Sequence, residues 1–136
     1  MKYYISYKFS GEDKEKLKEI LSEISSIIES HNNETFVSYR DIGNWGEISM
    51  DSKEIITKAL AELRNMDCIL CLVLSSEKSE GMLLEAGYAK ALGKKIIVAK
   101  KDDVRIVFLK DIADDSIEFN TYEDLKEKLH IYFNKK

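Results

Sequence analysis

The apolar positions of this chain follow two different spacings, which predict alternating strands and helices. Short apolar or aromatic runs predict strands, and longer segments with apolar residues three and four positions apart predict helices. The predicted strands are residues 3–7, 35–39, 68–74, 96–99 and 117–119, and the predicted helices are residues 12–30, 51–64, 81–92 and 122–133. Residues 40–49 are predicted to be a loop, and residues 104–110 fit neither pattern.

The third predicted strand contains no polar positions. The run from Cys68 to Leu74 is uninterrupted, so both faces of this strand are expected to be buried, as in a parallel sheet covered by helices. We interpret Cys68 and Cys71 as buried small side chains, because a redox or zinc pair is expected at a loop or helix start. The alternating elements predict an α/β fold, a doubly wound parallel sheet of flavodoxin-like order with about five strands flanked by helices.

Length and composition narrow the class of protein. A chain of 136 residues, 44% hydrophobic and 34% charged, is typical of one globular domain spanning residues 1–136. The net charge of −4 argues against a general nucleic-acid binder but allows a local anion pocket. No apolar run approaches the roughly 20 residues of a membrane span, and the first residues are strand-like, so we expect a cytoplasmic protein.

In a sheet of this kind, ligands bind beyond the carboxyl ends of the strands. The loop after the first strand contains Lys8, Ser10 and Gly11, which suit either an anion site or a plain turn with a helix cap. The loop after the second strand contains Asp41 and the single tryptophan, Trp45. The indole ring suits stacking on a nucleobase and equally suits packing over the core.

The segment after the third strand is the most informative. Glu85 has the small residues Gly81 and Ala89 one helical turn away on either side. This spacing predicts a carboxylate that projects from a notch into solvent, near the positive end of its helix, where the ionised form of a nucleophile is favoured. The alternative is an exposed glutamate on an ordinary helix, with Lys90 as a weak partner.

The run Ser79-Glu80-Gly81-Met82-Leu83-Leu84-Glu85-Ala86-Gly87-Tyr88-Ala89-Lys90-Ala91-Leu92-Gly93-Lys94 resembles the nucleoside 2-deoxyribosyltransferase superfamily, which includes 2′-deoxynucleoside 5′-phosphate N-hydrolases. The resemblance extends through Met66-Asp67 and the strand that follows. It implies that Glu85 is a nucleophile that attacks the anomeric carbon, after which water or a second base resolves the glycosyl-enzyme. It also implies a small-molecule nucleoside or nucleotide substrate, no cofactor or metal, and a homodimer or larger assembly.

The resemblance implies roles for other residues as well. Tyr3, or Tyr4 if the register slips by one, corresponds to the tyrosine that orients the nucleophile. Ser79 is similar to the phosphate-binding serine of the monophosphate hydrolases, and Lys8 and Ser10 are expected to surround the same phosphate. The expected substrate-binding residues are Ser6, Lys8, Ser10, Gly11, Asp41, Trp45, Ser79 and Gly81.

Two positions depart from the pattern of this superfamily. Ala59 stands where an assisting aspartate is expected, eight positions before Asp67, so acid help to the leaving base must come from elsewhere, with Asp41 as a candidate, or be missing. Ser6 and Tyr7 stand where glycine is common. Asp67 is expected to be structural, since its strand carries it to the far edge of the sheet.

Two functions remain after these observations. The leading hypothesis is an N-glycosidase or deoxyribosyltransferase that acts on a deoxynucleoside or its 5′-monophosphate. The alternative is a non-catalytic nucleotide-binding or signalling module of related architecture, comparable to Toll/interleukin-receptor domains. A phosphorylated receiver domain is disfavoured, because no acidic pair ends the first strand and no aspartate ends the third.

Overall fold

The computed structural model describes residues 1–43 and 51–135. The strands within these residues are β1 (Lys2–Tyr7), β2 (Glu34–Val37), β3 (Cys68–Val73), β4 (Lys95–Lys101) and β5 (Asp115–Phe119). The helices are α1 (Lys14–Ser30), α2 (Ser38–Asp41), α3 (Ser52–Arg64), α4 (Glu80–Ala91), α5 (Phe108–Ile112) and α6 (Tyr122–Asn134). At least one helix lies between each strand and the next, as the sequence predicts for the first four strands.

All neighbouring strands are parallel, in the order β2-β1-β3-β4-β5. This order confirms the doubly wound, flavodoxin-like α/β fold. The strand β1 lies between β2 and β3, and its Tyr4 is level with Phe36 on one side and Ile69 on the other. Ser6, two positions later, is level with Cys71 of β3. The centre of the sheet therefore places Tyr4, Ser6 and Cys71 close together.

Two hydrophobic clusters cover the two faces of the sheet, because successive side chains of a strand point in opposite directions. Tyr3 and Ile5 belong to the cluster beneath α1 and α6, and Tyr4 belongs to the cluster beneath α3 and α4. The free thiols of Cys68 and Cys71 are fully buried, one in each cluster, which confirms their interpretation as core residues. This division decides which side chains of β1 face α4.

Short polar side chains cap four helices at the positions where strands or loops end. The caps are Asp13, Asp51, Ser79 and Thr121, each of which accepts the backbone N–H three residues later. Asp67 accepts the backbone N–H of Lys2 at 2.8 Å, so it joins the start of β1 to the start of β3, as expected for a structural residue. None of the helices within the described ranges has the length and apolar character that a membrane span requires.

The structure differs from the predicted elements in two places. The second strand ends at Val37, and Ser38 to Asp41 form a helical turn, because the Asp41 carboxylate reaches back to accept the backbone N–H of Val37 at 2.9 Å. The ambiguous stretch after β4 contains the short helix α5, which buries Leu109. The first of these segments directly follows a strand end, where such a side-chain hydrogen bond competes with strand geometry.

Candidate active site

Glu85 contacts two hydroxyl groups of the first strand. Its Oε1 accepts a hydrogen bond of 2.6 Å from Ser6 Oγ, and its Oε2 accepts a hydrogen bond from the Tyr4 hydroxyl. Tyr4 and Ser6 are two positions apart on β1, so both side chains point to the face that α4 covers. The two oxygens of one carboxylate are thereby fixed by a single strand.

The tyrosine that meets the carboxylate is Tyr4, and the first expectation, Tyr3, is wrong on geometry. The Tyr3 hydroxyl contacts Met1 Sδ at 4.0 Å, and its ring packs edge-on against Phe133 with centroids 5.1 Å apart. Burial raises the pKa of Tyr3 to about 12. Because side chains alternate along a strand, Tyr3 lies on the face opposite Glu85.

Glu85 does not project freely into solvent as the notch pattern suggests. Its side chain is half-buried, and it is the sixth residue of α4, beyond the first turn where the helix dipole acts most strongly. Burial raises the pKa of the Glu85 carboxyl, while the hydrogen bonds from Ser6 and Tyr4 act in the opposite direction. The net effect of burial and the two hydrogen bonds is a raised pKa. The Glu85 carboxylate is therefore more basic and less hydrated than the carboxylate of an exposed glutamate.

Tyr4 is itself held in place by its neighbour on β2. Its ring stacks on Phe36, with centroids 5.2 Å apart and an angle of 24° between the planes. Burial raises the pKa of Tyr4 far above its ordinary value, and the nearby Glu85 charge raises it further. The hydroxyl therefore stays protonated and remains a hydrogen-bond donor to Glu85.

A buried thiol lies beside this pair of residues. Cys71 is level with Ser6 in the sheet and is fully buried. Burial raises the pKa of the Cys71 thiol, and the Glu85 charge adds to the shift. Since the thiolate is the reactive form of cysteine, Cys71 is an inert part of the core at this position.

The first loop meets the loop after β3 through an ion pair that sequence analysis missed. Lys8 Nζ lies 3.2 Å from Glu77 Oε2 and also donates a hydrogen bond to the Ser10 carbonyl oxygen. Gly11 has a φ of +80°, a region that favours glycine, and a Cβ there would lie 3.3 Å from Lys8 Nζ. The structure thus brings Lys8, Ser10 and Gly11 together, but the Lys8 ammonium group is already paired with the Glu77 carboxylate.

Ser79 and Lys8 line the same cavity. It has a volume of about 340 Å³ and lies between the β3–α4 loop and residues 105–109, with Ser75, Met82, Arg105 and Phe108 among its other walls. Ser79 Oγ accepts the Met82 N–H at 3.2 Å, which leaves the Ser79 hydroxyl hydrogen available as a donor.

Gly81 and Glu85 lie on α4 but are not part of the cavity lining. Gly81 is exposed, and a Cβ there would meet nothing within 4 Å. Met82, one turn before Glu85 on α4, does line the cavity.

Asp41 is engaged in holding its own segment together. Its carboxylate accepts the Val37 N–H at 2.9 Å and forms an ion pair of 2.9 Å with Arg40 Nη2. These contacts raise the pKa of Arg40, chiefly through the hydrogen bond to Asp41. A carboxylate with these partners is poorly placed to give a proton to a leaving base. Trp45, the other expected residue of this loop, lies outside the described residues.

Comparison with known proteins places the chain in a family. The family model described as nucleoside 2-deoxyribosyltransferase matches residues 7–127, which is most of the chain. The chain belongs to this family. No curated protein sequence matches the chain.

Solved structures support the same fold for this family member. The CMP N-glycosidase of Clostridium botulinum has a TM-score of 0.71 at 19% identity, covering 97% of this chain and 99% of its own. A 2-deoxyribosyltransferase of Bacillus psychrosaccharolyticus has a TM-score of 0.70 at 16% identity, covering 95% and 96%. That of Leishmania mexicana has a TM-score of 0.59 at 19% identity, covering 74% and 65%. At these identities, the likeness shows a shared fold.

One position of this nucleoside 2-deoxyribosyltransferase family member has a plain structural role. Ala59 lies on α3 with 4% of its surface exposed, and it packs in the cluster that contains Tyr4 and Phe36. A charged side chain at this place would have to leave water, at a large cost unless it were paired. The small side chain thus fits a closely packed contact between α3 and the sheet.

Proposed function

We propose that this protein cleaves the N-glycosidic bond of a deoxynucleoside or deoxynucleoside 5′-monophosphate with Glu85 as the nucleophile. The observation that carries the proposal is the pair of hydrogen bonds from Ser6 and Tyr4, which fix both oxygens of the carboxylate. Membership of the nucleoside 2-deoxyribosyltransferase family supports the reaction class. A carboxylate oxygen has two lone pairs, so each oxygen can accept one hydrogen bond and still attack with the other pair.

In the proposed reaction, a Glu85 oxygen forms a bond to the anomeric carbon while the bond from that carbon to the base nitrogen breaks. The base leaves with the electron pair and takes up a proton. Water then attacks the glycosyl ester, loses a proton and releases Glu85, or a second base takes the place of water and a new nucleoside forms. This is the double displacement of retaining glycosidases.

Ser6 and Tyr4 serve this step by orientation. A carboxylate that already has its final direction loses less entropy when the substrate reacts, so the hydroxyl donors contribute through positioning. Partial burial raises the pKa of Glu85, which makes its anion more basic than that of a solvated glutamate. Ser6 therefore acts on Glu85 and has a different role from the substrate contact expected from the sequence.

Substrate recognition is proposed to involve the cavity that Lys8 and Ser79 line. Once Glu77 releases Lys8, the Lys8 ammonium group can neutralise a 5′-phosphate, and the Ser79 hydroxyl can donate its hydrogen to the same phosphate.

Exposed apolar side chains favour a homodimer or larger assembly. They are Leu83, Leu84, Val107 and Phe108, which are between 44% and 79% exposed. Light scattering on the full chain measures its mass, and a monomer at all concentrations would remove the assembly from the proposal.

The direct test is release of free base from a panel of deoxynucleosides and their 5′-monophosphates, followed by chromatography. We expect base release from at least one member of the panel by the unaltered protein and none above background by the Glu85→Gln variant. Release with the same rate in both would remove Glu85 as the nucleophile.

A non-catalytic nucleotide-binding module is the second candidate function. The observations that favour it are the alanine at position 59 and the engagement of Asp41, since neither position supplies a free acid to the leaving base. If the protein is such a module, nucleotides should raise the melting temperature of both the unaltered chain and the Glu85→Gln variant, and neither protein should release base.

A further inference from the structure

Two histidine side chains lie together at the amino edge of the sheet, where α1 leads into β2. His31 follows the last residue of α1, and His130 lies near the end of α6, 99 residues later in the chain. Nε2 of His31 and Nδ1 of His130 are 3.1 Å apart. The sequence contains two histidines in all, so both belong to this pair. The His130 ring is exposed and the His31 ring is half-buried.

We propose that His31 and His130 form a chelating site for a divalent first-row transition-metal ion, which joins the ends of α1 and α6. Imidazole nitrogens bind such ions at about 2.0–2.1 Å, and two nitrogens separated by 3.1 Å then subtend about 95–102° at the ion. This angle lies between those of octahedral and tetrahedral coordination. The two side chains therefore have a separation that one ion can bridge.

The remaining coordination positions belong to water. In residues 1–43 and 51–135, no group of three or more His, Cys, Asp or Glu is arranged to hold a metal ion. A site with two protein ligands and several waters binds in exchange with solvent, so its affinity is moderate. Imidazole is a preferred ligand of Ni²⁺, Cu²⁺ and Zn²⁺, whereas Mg²⁺ prefers oxygen.

Binding requires a small rearrangement of the pair. In the hydrogen bond between the rings, one facing nitrogen carries a proton and the other accepts it. The donor ring can move its proton to its other nitrogen, so both facing nitrogens bind the ion without net loss of a proton. Each lone pair also turns by roughly 40° from the line between the nitrogens, by rotation about χ2, which has broad minima in histidine.

The two helix ends contribute opposite electrostatic effects at this place. Both helices point their carboxyl ends toward it and their last turns contain no lysine or arginine, but Lys135 is the C-cap of α6 and the Met1 ammonium group donates a hydrogen bond to Asn33, two residues after His31. The negative end of a helix dipole attracts cations near its last turn. The His31 ring also packs against Phe133, with centroids 6.4 Å apart.

Thermal unfolding of the untagged full chain with Ni²⁺ tests the site. We expect the melting temperature to rise by at least about 3 °C at 1 mM Ni²⁺, to fall back when EDTA is added, and to stay unchanged with Mg²⁺. His31→Gln and His130→Gln should each abolish the rise. Glu127→Gln, a matched exposed change one turn before His130, should keep it. Absence of a rise in the unaltered chain, its survival in either histidine variant, or its loss in the control would overturn the proposal.

A second measurement needs no variant. Because the sequence has two histidines, its proton spectrum contains two sets of imidazole signals. We expect both sets to shift with Zn²⁺ along one common saturation curve, since a single ion bridges the rings. Signals that do not move, or that move with separate curves, would show that no shared site exists. Base release is not involved, so failure of the proposed function leaves this test unaffected.

Discussion

Ser6 Oγ donates a hydrogen bond of 2.6 Å to Oε1 of Glu85, which joins the first strand of the sheet to a helix residue 79 positions later. The second oxygen of the same carboxylate accepts from Tyr4. A side chain with both oxygens occupied has little rotational freedom, and its direction is set before any substrate arrives.

Replacing Glu85 by glutamine tests its role in catalysis. The amide keeps the size of the side chain but removes the negative charge that attacks the anomeric carbon, so base release should fall by a factor of at least about 10³ while nucleotide binding survives. Chromatography measures the first quantity and ligand-dependent melting the second. A variant that releases base at the original rate would place the nucleophile elsewhere.

The same substitution tests the pKa of Glu85. Burial raises this pKa above the ordinary value of 4.5, so between that value and the folded-state pKa the native state holds a proton that the unfolded state has lost. The contribution of Glu85 to the free energy of unfolding is therefore present at low pH and is lost as the pH rises through the folded-state pKa. Urea unfolding between pH 4 and 8 should show the unaltered chain gaining stability relative to Glu85→Gln as the pH falls.

Other titrating groups are common to both proteins and cancel in that difference. Exposed Glu80→Gln in the first turn of α4 serves as the control, and its difference from the unaltered chain should not show the gain at low pH that burial of Glu85 predicts. A difference for Glu85→Gln that stays constant with pH would contradict the raised pKa.

A pair of tyrosine variants tests the face of β1 that contacts Glu85. Tyr4→Phe removes a hydrogen bond to a carboxylate, which is worth about 1.5–3 kcal/mol, so base release should fall by roughly 10- to 100-fold. Tyr3→Phe removes a hydroxyl on the opposite face and should leave the rate of base release unchanged. Steady-state rates for the two variants, with melting temperatures to confirm folding, make the comparison. A larger loss with Tyr3→Phe would reverse the assignment.

The ion pair between Lys8 and Glu77 leads to a prediction about phosphate. Glu77 competes with a 5′-phosphate for the Lys8 ammonium group. Glu77→Gln should therefore increase the rise in melting temperature caused by a deoxynucleoside monophosphate, and leave the rise caused by the nucleoside unchanged. Melting temperatures with matched nucleoside and monophosphate measure both. Lys8→Met should abolish the difference between the two ligands. If both ligands shift the melting temperature equally in the unaltered chain and in both variants, the proposed phosphate site is wrong.

The contacts of Asp41 and the alanine at position 59 lead to a prediction about substrates. A deoxynucleoside of 7-methylguanine carries a positive charge on its base and releases a neutral base without taking up a proton. If acid help is weak, as the contacts of Asp41 and the burial of Ala59 indicate, this substrate should react at least about 10²-fold faster than deoxyguanosine. Asp41→Asn should leave the rate for the methylated substrate unchanged. Equal rates for the two substrates would indicate that a proton donor assists departure.

Several features of the protein follow from its sequence. The periodic apolar pattern predicts the alternation of strands and helices, because a buried strand and an amphipathic helix need different spacings. The uninterrupted apolar run of β3 predicts a sheet covered on both faces, as observed. Glu85 also stands out from the sequence, since its small helical neighbours and the surrounding motif single it out from the other acidic residues.

Only the tertiary structure decided which side chains contact one another. Tyr3 and Tyr4 are adjacent aromatic residues on a strand buried on both faces, so no polar alternation tells which of them faces α4. Lys8 and Glu77 come from loops that meet only after β1 and β3 pair, and His31 and His130 meet only when α1 packs beside α6. Local sequence sets the period of an element, but hydrogen bonds and ion pairs depend on distances of a few ångströms between distant segments, which packing alone determines.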